Sequence, residues 1–205
     1  MTRPAPERVL IEGAAGNIEA AVDFPAAPPR GIALVAHPHP LFGGSLDNKV
    51  AQTLARVFAE LGYAALRPNF RGVGASAGVH DEGRGETDDM LAVLDYGRAR
   101  FGDLPVALAG FSFGAFVQTR VAKRIAAERM VLVGAAVGRS AAETVPADTI
   151  LIHGELDETV PLANVLGWAR PQDLPVTVIP GADHFFHRRL HVIRSVVLSH
   201  DWSRR

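Results

Sequence analysis

The stretch Val106-Ala107-Leu108-Ala109-Gly110-Phe111-Ser112-Phe113-Gly114-Ala115 decides how the rest of the chain is read. An unbroken apolar run with strand character meets Gly-x-Ser-x-Gly, and helical spacing begins at once. A serine on a sharp strand-to-helix turn is held with its hydroxyl exposed, and the two glycines remove the Cβ atoms that would clash there. The amide of the next residue, Phe113, then points at whatever the hydroxyl attacks. Ser112 is thereby a candidate nucleophile, and the chain should supply a base, an orienting acid and a second oxyanion donor.

Outward from that turn, strands alternate with helices. Upstream, Arg8 to Gly13 and Asn17 to Phe24 form a hairpin around Gly13-Ala14-Ala15-Gly16. Gly31 to Ala36 is wholly apolar, as in a strand buried on both faces of a parallel sheet. It runs into His37-Pro38-His39-Pro40-Leu41-Phe42-Gly43-Gly44, a loop whose prolines refuse a helix. Asp47 reads as the N-cap of a helix with the stripe Val50, Leu54, Val57, Phe58 and Leu61, ended by Gly62. Tyr63 to Arg67 is the next strand, followed by a glycine-rich loop to Gly78 and a helix from about Gly85 to Arg100. Its first turn carries Glu86, Asp88 and Asp89, where acids favour the helix dipole.

Downstream of Ser112 a helix is predicted over Phe113 to Ala127, and strands at Met130–Ala136 and Thr149–His153. A short helix follows at Pro161–Arg170, a last strand at Pro175–Ile179, and a closing helix from Phe185 to about His200. The alternation predicts an α/β fold, a mostly parallel sheet covered on both faces, in a single domain over residues 1–205.

In such a sheet, ligands bind at the carboxyl ends of the strands. Past His153 stands Gly154-Glu155-Leu156-Asp157-Glu158, and past Ile179 stands Pro180-Gly181-Ala182-Asp183-His184. Serine, acid and histidine thus follow one another at three strand ends, the order that belongs to this type of turn. The hydroxyl needs a neutral imidazole to take its proton. The imidazole needs a carboxylate to fix its tautomer. His184 is the expected base and Asp157 the acid, with Glu155 and Glu158 in the same loop as competitors. His187 and His191 fall to the last helix, and His153 reads as a buried strand histidine. Asp183 adjoins the base too closely, and Asp148 sits at the wrong end of its strand. Within His37–Leu41 only His37, His39 and Leu41 keep an N–H, and Leu41, just past the last proline, is taken as the second oxyanion donor beside Phe113. His39, Phe42, Arg71, Phe111 and Phe185 are candidate substrate-binding residues. For Arg71 the competing role is to tie loop carbonyls or Glu86 in place.

Several function classes are excluded. The chain has no cysteine, hence no disulfide, thiol nucleophile or thiolate metal site. His37 and His39 lack a third ligand at defined spacing, so no metal is expected. Net charge is −1, and the paired arginines Arg188-Arg189 and Arg204-Arg205 form no basic face, which argues against nucleic acid. No apolar run reaches the ~18 residues needed to span a bilayer, and the first residues lack the apolar core of a signal peptide, so a cytoplasmic location is expected.

The set His37-Pro38-His39-Pro40, Gly43-Gly44, Asn48-Lys49, Asn69-Phe70-Arg71-Gly72-x-Gly-x-Ser76, Gly110-Phe111-Ser112-Phe113-Gly114-Ala115 and His184-Phe185-Phe186 resembles the α/β-hydrolase superfamily. Within it, the chain is most similar to small lidless bacterial serine hydrolases, and distantly to dienelactone hydrolases and prolyl oligopeptidase catalytic domains. The resemblance covers about residues 30 to 190. It implies an eight-stranded sheet with the second strand antiparallel, the triad Ser112, Asp157 and His184, and no cofactor. Dienelactone hydrolases carry a cysteine nucleophile where Ser112 stands, so their substrate is not carried over. Larger relatives insert a cap between the sixth and seventh strands. Only about Val137 to Asp148 is available here, which implies an open site. The expected reaction is cleavage of a small carboxylic ester or thioester through an acyl-enzyme, with an amide or short peptide substrate, or a non-catalytic scaffold binding a small molecule, as the alternatives.

Overall fold

In the computed structural model, which describes residues 5–138 and 142–202, eight strands form one sheet in the order β1-β2-β4-β3-β5-β6-β7-β8. The Arg204-Arg205 pair lies outside the described residues. Strands β1 (Glu7–Gly13) and β2 (Gly16–Asp23) make the predicted hairpin, with Gly13 opposite Gly16. Strand β2 runs antiparallel to β4 (Tyr63–Pro68). From β4 onward all pairings are parallel: β3 (Gly31–Ala36), β5 (Val106–Phe111), β6 (Arg129–Val133), β7 (Ile150–Gly154) and β8 (Val176–Ile179).

The unbroken apolar run of β3 is explained by burial on both faces. Ile32, Leu34 and Ala36 join a core with Met90 and Leu94 of α2 (Arg84–Phe101) and Phe116 and Val117 of α3 (Phe113–Val121). Ala33 and Val35 join the opposite core, with Leu54 and Phe58 of α1 (Lys49–Glu60) and Ile193 and Val197 of α5 (Leu190–Ser199). Alternate side chains of one strand thus serve two layers, as the pleat requires. Helix α4 (Leu162–Ala169) adds Val165 and Ala169 to the first core.

Several boundaries differ from the sequence reading. Asn48, not Asp47, caps α1: its side-chain oxygen accepts from the amides of Val50 (2.9 Å) and Ala51 (3.3 Å). Asp47 instead accepts from Arg8 Nη2 on both carboxylate oxygens at 2.8 Å. Helix α3 stops at Val121 rather than Ala127, and α5 starts at Leu190 rather than Phe185. Of the three acids placed at the start of α2, Glu86 occupies the first turn and accepts from the Gly83 amide (2.8 Å), whereas Asp89 turns to Arg71 and Asp88 to Arg124. Between β6 and β7 the described residues contain no helix, so no cap stands there. Among the described residues no helix is long and apolar enough to cross a membrane.

The loop after β4 is a scaffold for the sheet's carboxyl edge. Asn69 accepts from the Leu46 amide (2.8 Å) and donates to Glu19 (2.8 Å), while the Ser76 hydroxyl donates to the Asn69 carbonyl (2.8 Å) and accepts from the Glu19 amide (3.0 Å). The Asn69…Ser76 motif therefore fixes loops rather than binding substrate.

Candidate active site

Strand β5 ends at Phe111 and α3 begins at Phe113, leaving a single residue, Ser112, to make the turn. Ser112 has φ 55° and ψ −117°, a strained backbone for a residue with a Cβ. The flanking glycines are required by contact distance. A Cβ on Gly110 would stand 2.5 Å from Gly114 backbone atoms, and one on Gly114 would stand 2.4 Å from the carbonyl oxygens of Ala36 and His37. The turn is further pinned by the Ser112 amide, which donates to Val133 at the end of β6 (2.9 Å).

Parallel pairing of β7 and β8 brings the next two loops to the same edge. The Nε2 of His184 lies 3.0 Å from the Ser112 Oγ, and its Nδ1 lies 2.7 Å from Oδ2 of Asp157. The other carboxylate oxygen, Oδ1, accepts from the amides of Thr159 (3.0 Å) and Val160 (2.7 Å). All three side chains are buried. A carboxylate facing Nδ1 requires the proton there, which leaves the Nε2 lone pair to accept from the serine hydroxyl. The competing acids are engaged elsewhere. Glu155 accepts from the Gly181 amide (2.8 Å), Asp183 from His187, and Asp148 lies 3.9 Å from Arg129. Glu158 is exposed.

The strand histidine His153 sits beneath this pair, fully buried. Its Nε2–H donates to the Val160 carbonyl (2.8 Å) and lies 3.5 Å from Asp157 Oδ2. Burial lowers its pKa, so a neutral ring backs the carboxylate.

The loop after β3 is organised by its first histidine. His37 is fully buried: Nε2 accepts from the Phe70 amide (2.9 Å) and Nδ1–H donates to the Pro38 carbonyl (2.6 Å). This arrangement demands the neutral ring, and desolvation lowers the pKa to about 4. Between pH 6.5 and 4 the unfolded chain binds a proton at this residue that the folded chain does not, so stability falls as pH falls through that window. The full loss is about 3 kcal/mol. Urea midpoints measured down the same window should decline in step, and the His37 ring proton shifts in NMR spectra should stay those of neutral imidazole at pH 5.

His39 faces the other way, into the cleft, packed against Phe42, His80 and Phe113 with ring centroids 4.7–4.8 Å apart. Its Nδ1 accepts from the Leu41 amide (3.3 Å), and the Leu41 side chain is 68% exposed. The amide expected from sequence to be the second oxyanion donor is therefore engaged inside its own loop. The short 3-10 turn Pro40–Phe42 causes this by folding Leu41 back over His39.

A cleft of about 650 Å³ opens over Ser112, bounded by His39, Phe42, His80, Phe113, Phe116 and Arg120, with Arg84 and Thr159 also on its wall. Of the candidate substrate-binding residues, His39 and Phe42 lie on this wall and three others do not. Arg71 is tied to Asp89 through two 2.8 Å bonds and to the Gly85 carbonyl (2.8 Å), so it fixes the loop, although on Asp89 rather than Glu86. Phe111 is fully buried, its ring 4.9 Å from that of His184. Phe185 is half exposed and lines a separate depression with Asn48 and Lys49. Sequence reading missed His80, Phe116, Arg84 and Arg120. Of these, Phe116 and Arg120 of α3 were legible, since Phe113, Phe116 and Arg120 fall on one helix face. Among the described residues no cluster of three or more His, Asp or Glu is arranged to hold a metal ion.

Residues 43–178 match the Hydrolase_4 family, described as serine aminopeptidase S33. The chain belongs to that family. The crystal structure of XC6422 from Xanthomonas campestris, described as an α/β serine hydrolase without lid, is 35% identical, with a TM-score of 0.88 over 96% of this chain and 94% of that one. The α/β-hydrolase fold, lidless, is thereby established for this chain. Uncharacterized protein RP471 of Rickettsia prowazekii is 39% identical over 118 residues, which are 57% of this chain and 50% of that protein. Lysophosphatidylserine lipase ABHD12 of Macaca fascicularis is 40% identical over 79 residues, 38% of this chain and 19% of that protein. The matched segments thus span about half the length of the first of these relatives and a fifth of the second.

Proposed function

We propose that this serine hydrolase cleaves small carboxylic esters or thioesters through an acyl-enzyme. The observation that carries the reading is His184 bridging Ser112 Oγ and Asp157 across 3.0 and 2.7 Å. Ser112 attacks the carbonyl carbon while His184 Nε2 takes the hydroxyl proton. The resulting imidazolium is stabilised by Asp157 and gives the proton to the leaving alcohol or thiol. Water then repeats the sequence on the acyl-enzyme, with His184 first base and then acid. The oxyanion is held by the Phe113 amide at the start of α3. With Leu41 engaged by His39, the second donor is the His39 amide, between the two prolines that have none. One such donor is typically worth ~3 kcal/mol of barrier. No step needs a cofactor.

Peptide hydrolysis, to which the family description points, uses the same groups. An aminopeptidase must also seat a substrate ammonium, and the acid on the cleft wall, Glu82, is exposed and lies 3.8 Å from Arg84. The ester reading is favoured on that ground.

A fluorophosphonate probe should label the wild-type chain and not Ser112→Ala. Hydrolysis of p-nitrophenyl esters and acyl-CoA thioesters should exceed that of aminoacyl p-nitroanilides at equal concentration. An unlabelled wild type beside a reacting control hydrolase refutes the enzyme reading, and faster anilide cleavage refutes the ester preference.

A further inference from the structure

The cleft is polarised along its length. Ser112 caps α3, and the face of that helix in the cleft carries Phe113, then Phe116, then Arg120. Both phenylalanines are buried, their ring centroids 5.8 Å apart, and the Arg120 guanidinium lies 6.0 Å from the Phe116 ring centre. Eight residues at 1.5 Å rise put Arg120 roughly 12 Å along the axis from Ser112. Arg120 is partly buried and has no carboxylate partner among the described residues. Its basic neighbours differ: Arg84 on the same cleft wall pairs with Asp81 at 2.8 Å and Arg124 pairs with Asp88 at 3.2 Å. Glu82 also lines the cleft, but it is largely exposed and held toward Arg84, so it does not neutralise Arg120.

An aromatic track that begins at a nucleophile and ends at a guanidinium with no carboxylate partner among the described residues fits an acyl chain with a charge at its far end. Resting on the hydrolase reading above, we propose that Arg120 selects substrates whose acyl chain carries a terminal anion, a carboxylate or a phosphate group, at the end of the cleft away from the scissile bond. The aliphatic part of that chain lies over Phe113 and Phe116. The guanidinium fork takes the anion in paired, charge-assisted hydrogen bonds, which a lysine could supply only as a point charge.

The test compares kcat/KM for p-nitrophenyl monoesters of adipic, suberic and sebacic acids with that for neutral alkanoates of matched length, and adds an ω-phosphonate of the best length. Wild type should prefer one charged length by on the order of tenfold or more, the worth of one charge-assisted contact. Arg120→Met should abolish the preference and Arg120→Lys should retain part of it. Arg120→Glu should turn the preference toward an ω-ammonium ester. Arg56→Met, which removes one exposed positive charge outside the cleft, should keep the wild-type ratio. The higher of the carboxylate and phosphonate ratios identifies the anion, and either one above the neutral ester supports the proposal. Neutral esters cleaved with no charged preference, or an equal fall of the ratio in Arg56→Met, overturns it while leaving the hydrolase reading standing. Absence of turnover on all of these esters overturns both.

Discussion

Ser112→Ala is expected to reduce kcat by about 10⁶-fold on any ester the wild type cleaves, with the fold intact. The reason lies in how little else the hydroxyl does. Its hydrogen bond is to His184 Nε2, and the turn itself is held by the backbone, through the Ser112 amide on Val133 and the tight approach of Gly114 to the end of β3. Alanine keeps the Cβ and the strained φ, so thermal midpoints of variant and wild type should agree within a few degrees or favour the variant. Removing a nucleophile from a strained turn costs no packing. The surviving rate should still exceed that in water, because the Phe113 amide and the cleft continue to bind the substrate. The measurement is kcat on a p-nitrophenyl ester, normalised by active-site titration of the wild type. A variant retaining more than about a hundredth of the activity would mean that a different nucleophile acts, since loss of the true one is far larger.

How much of this was legible in the sequence depended on whether the signal was local. The elbow is a local object: an apolar strand, two glycines whose Cβ atoms have no room, and a helix at once. So is the two-faced burial of β3, readable from its unbroken apolar run. Asp157 and His184 were read from their places at strand ends, and the fold explains why they meet. Parallel neighbours β7 and β8 end side by side, so residues a few positions past each end must meet. What failed was loop geometry. Leu41 stands just past the last proline and keeps its amide, but a 3-10 turn hands that amide to His39. Arg71 and Asn69 sit beside the site in sequence but serve the loop, and only the positions of Asp89 and Glu19 show it. His80 enters the cleft from a loop with no periodicity to announce it, held by Glu86 of α2 at 2.8 Å. Contacts between distant loops have no signature in local spacing.

The second large effect is expected from Asp157→Asn, which should lower kcat by ~10⁴-fold, less than loss of Ser112. Asp157 is a pure acceptor in its present place. Oδ1 takes the Thr159 and Val160 amides, and Oδ2 takes His184 Nδ1–H, with His153 Nε2–H 3.5 Å away. Asparagine has one acceptor and one donor end, so it satisfies only one side. With its oxygen toward the two amides, its NH₂ faces His184. The ring must then move its proton to Nε2, where it can no longer accept from Ser112. With its oxygen toward His184, the catalytic tautomer is kept, but the NH₂ confronts two backbone donors in a buried loop, at a cost of about 1–3 kcal/mol for each group left unsatisfied. Two amides weigh more than one ring proton that can relocate, so the first orientation wins and activity rather than stability carries the loss. The pair of measurements separates these cases. A kcat fall of about 10⁴ with an unchanged denaturation midpoint indicates the displaced tautomer, whereas near-normal kcat with a lowered midpoint indicates the strained loop. An Asp157→Asn enzyme with normal kcat and normal midpoint would remove Asp157 from the triad, and Glu155→Gln and Glu158→Gln would then be the variants to assay.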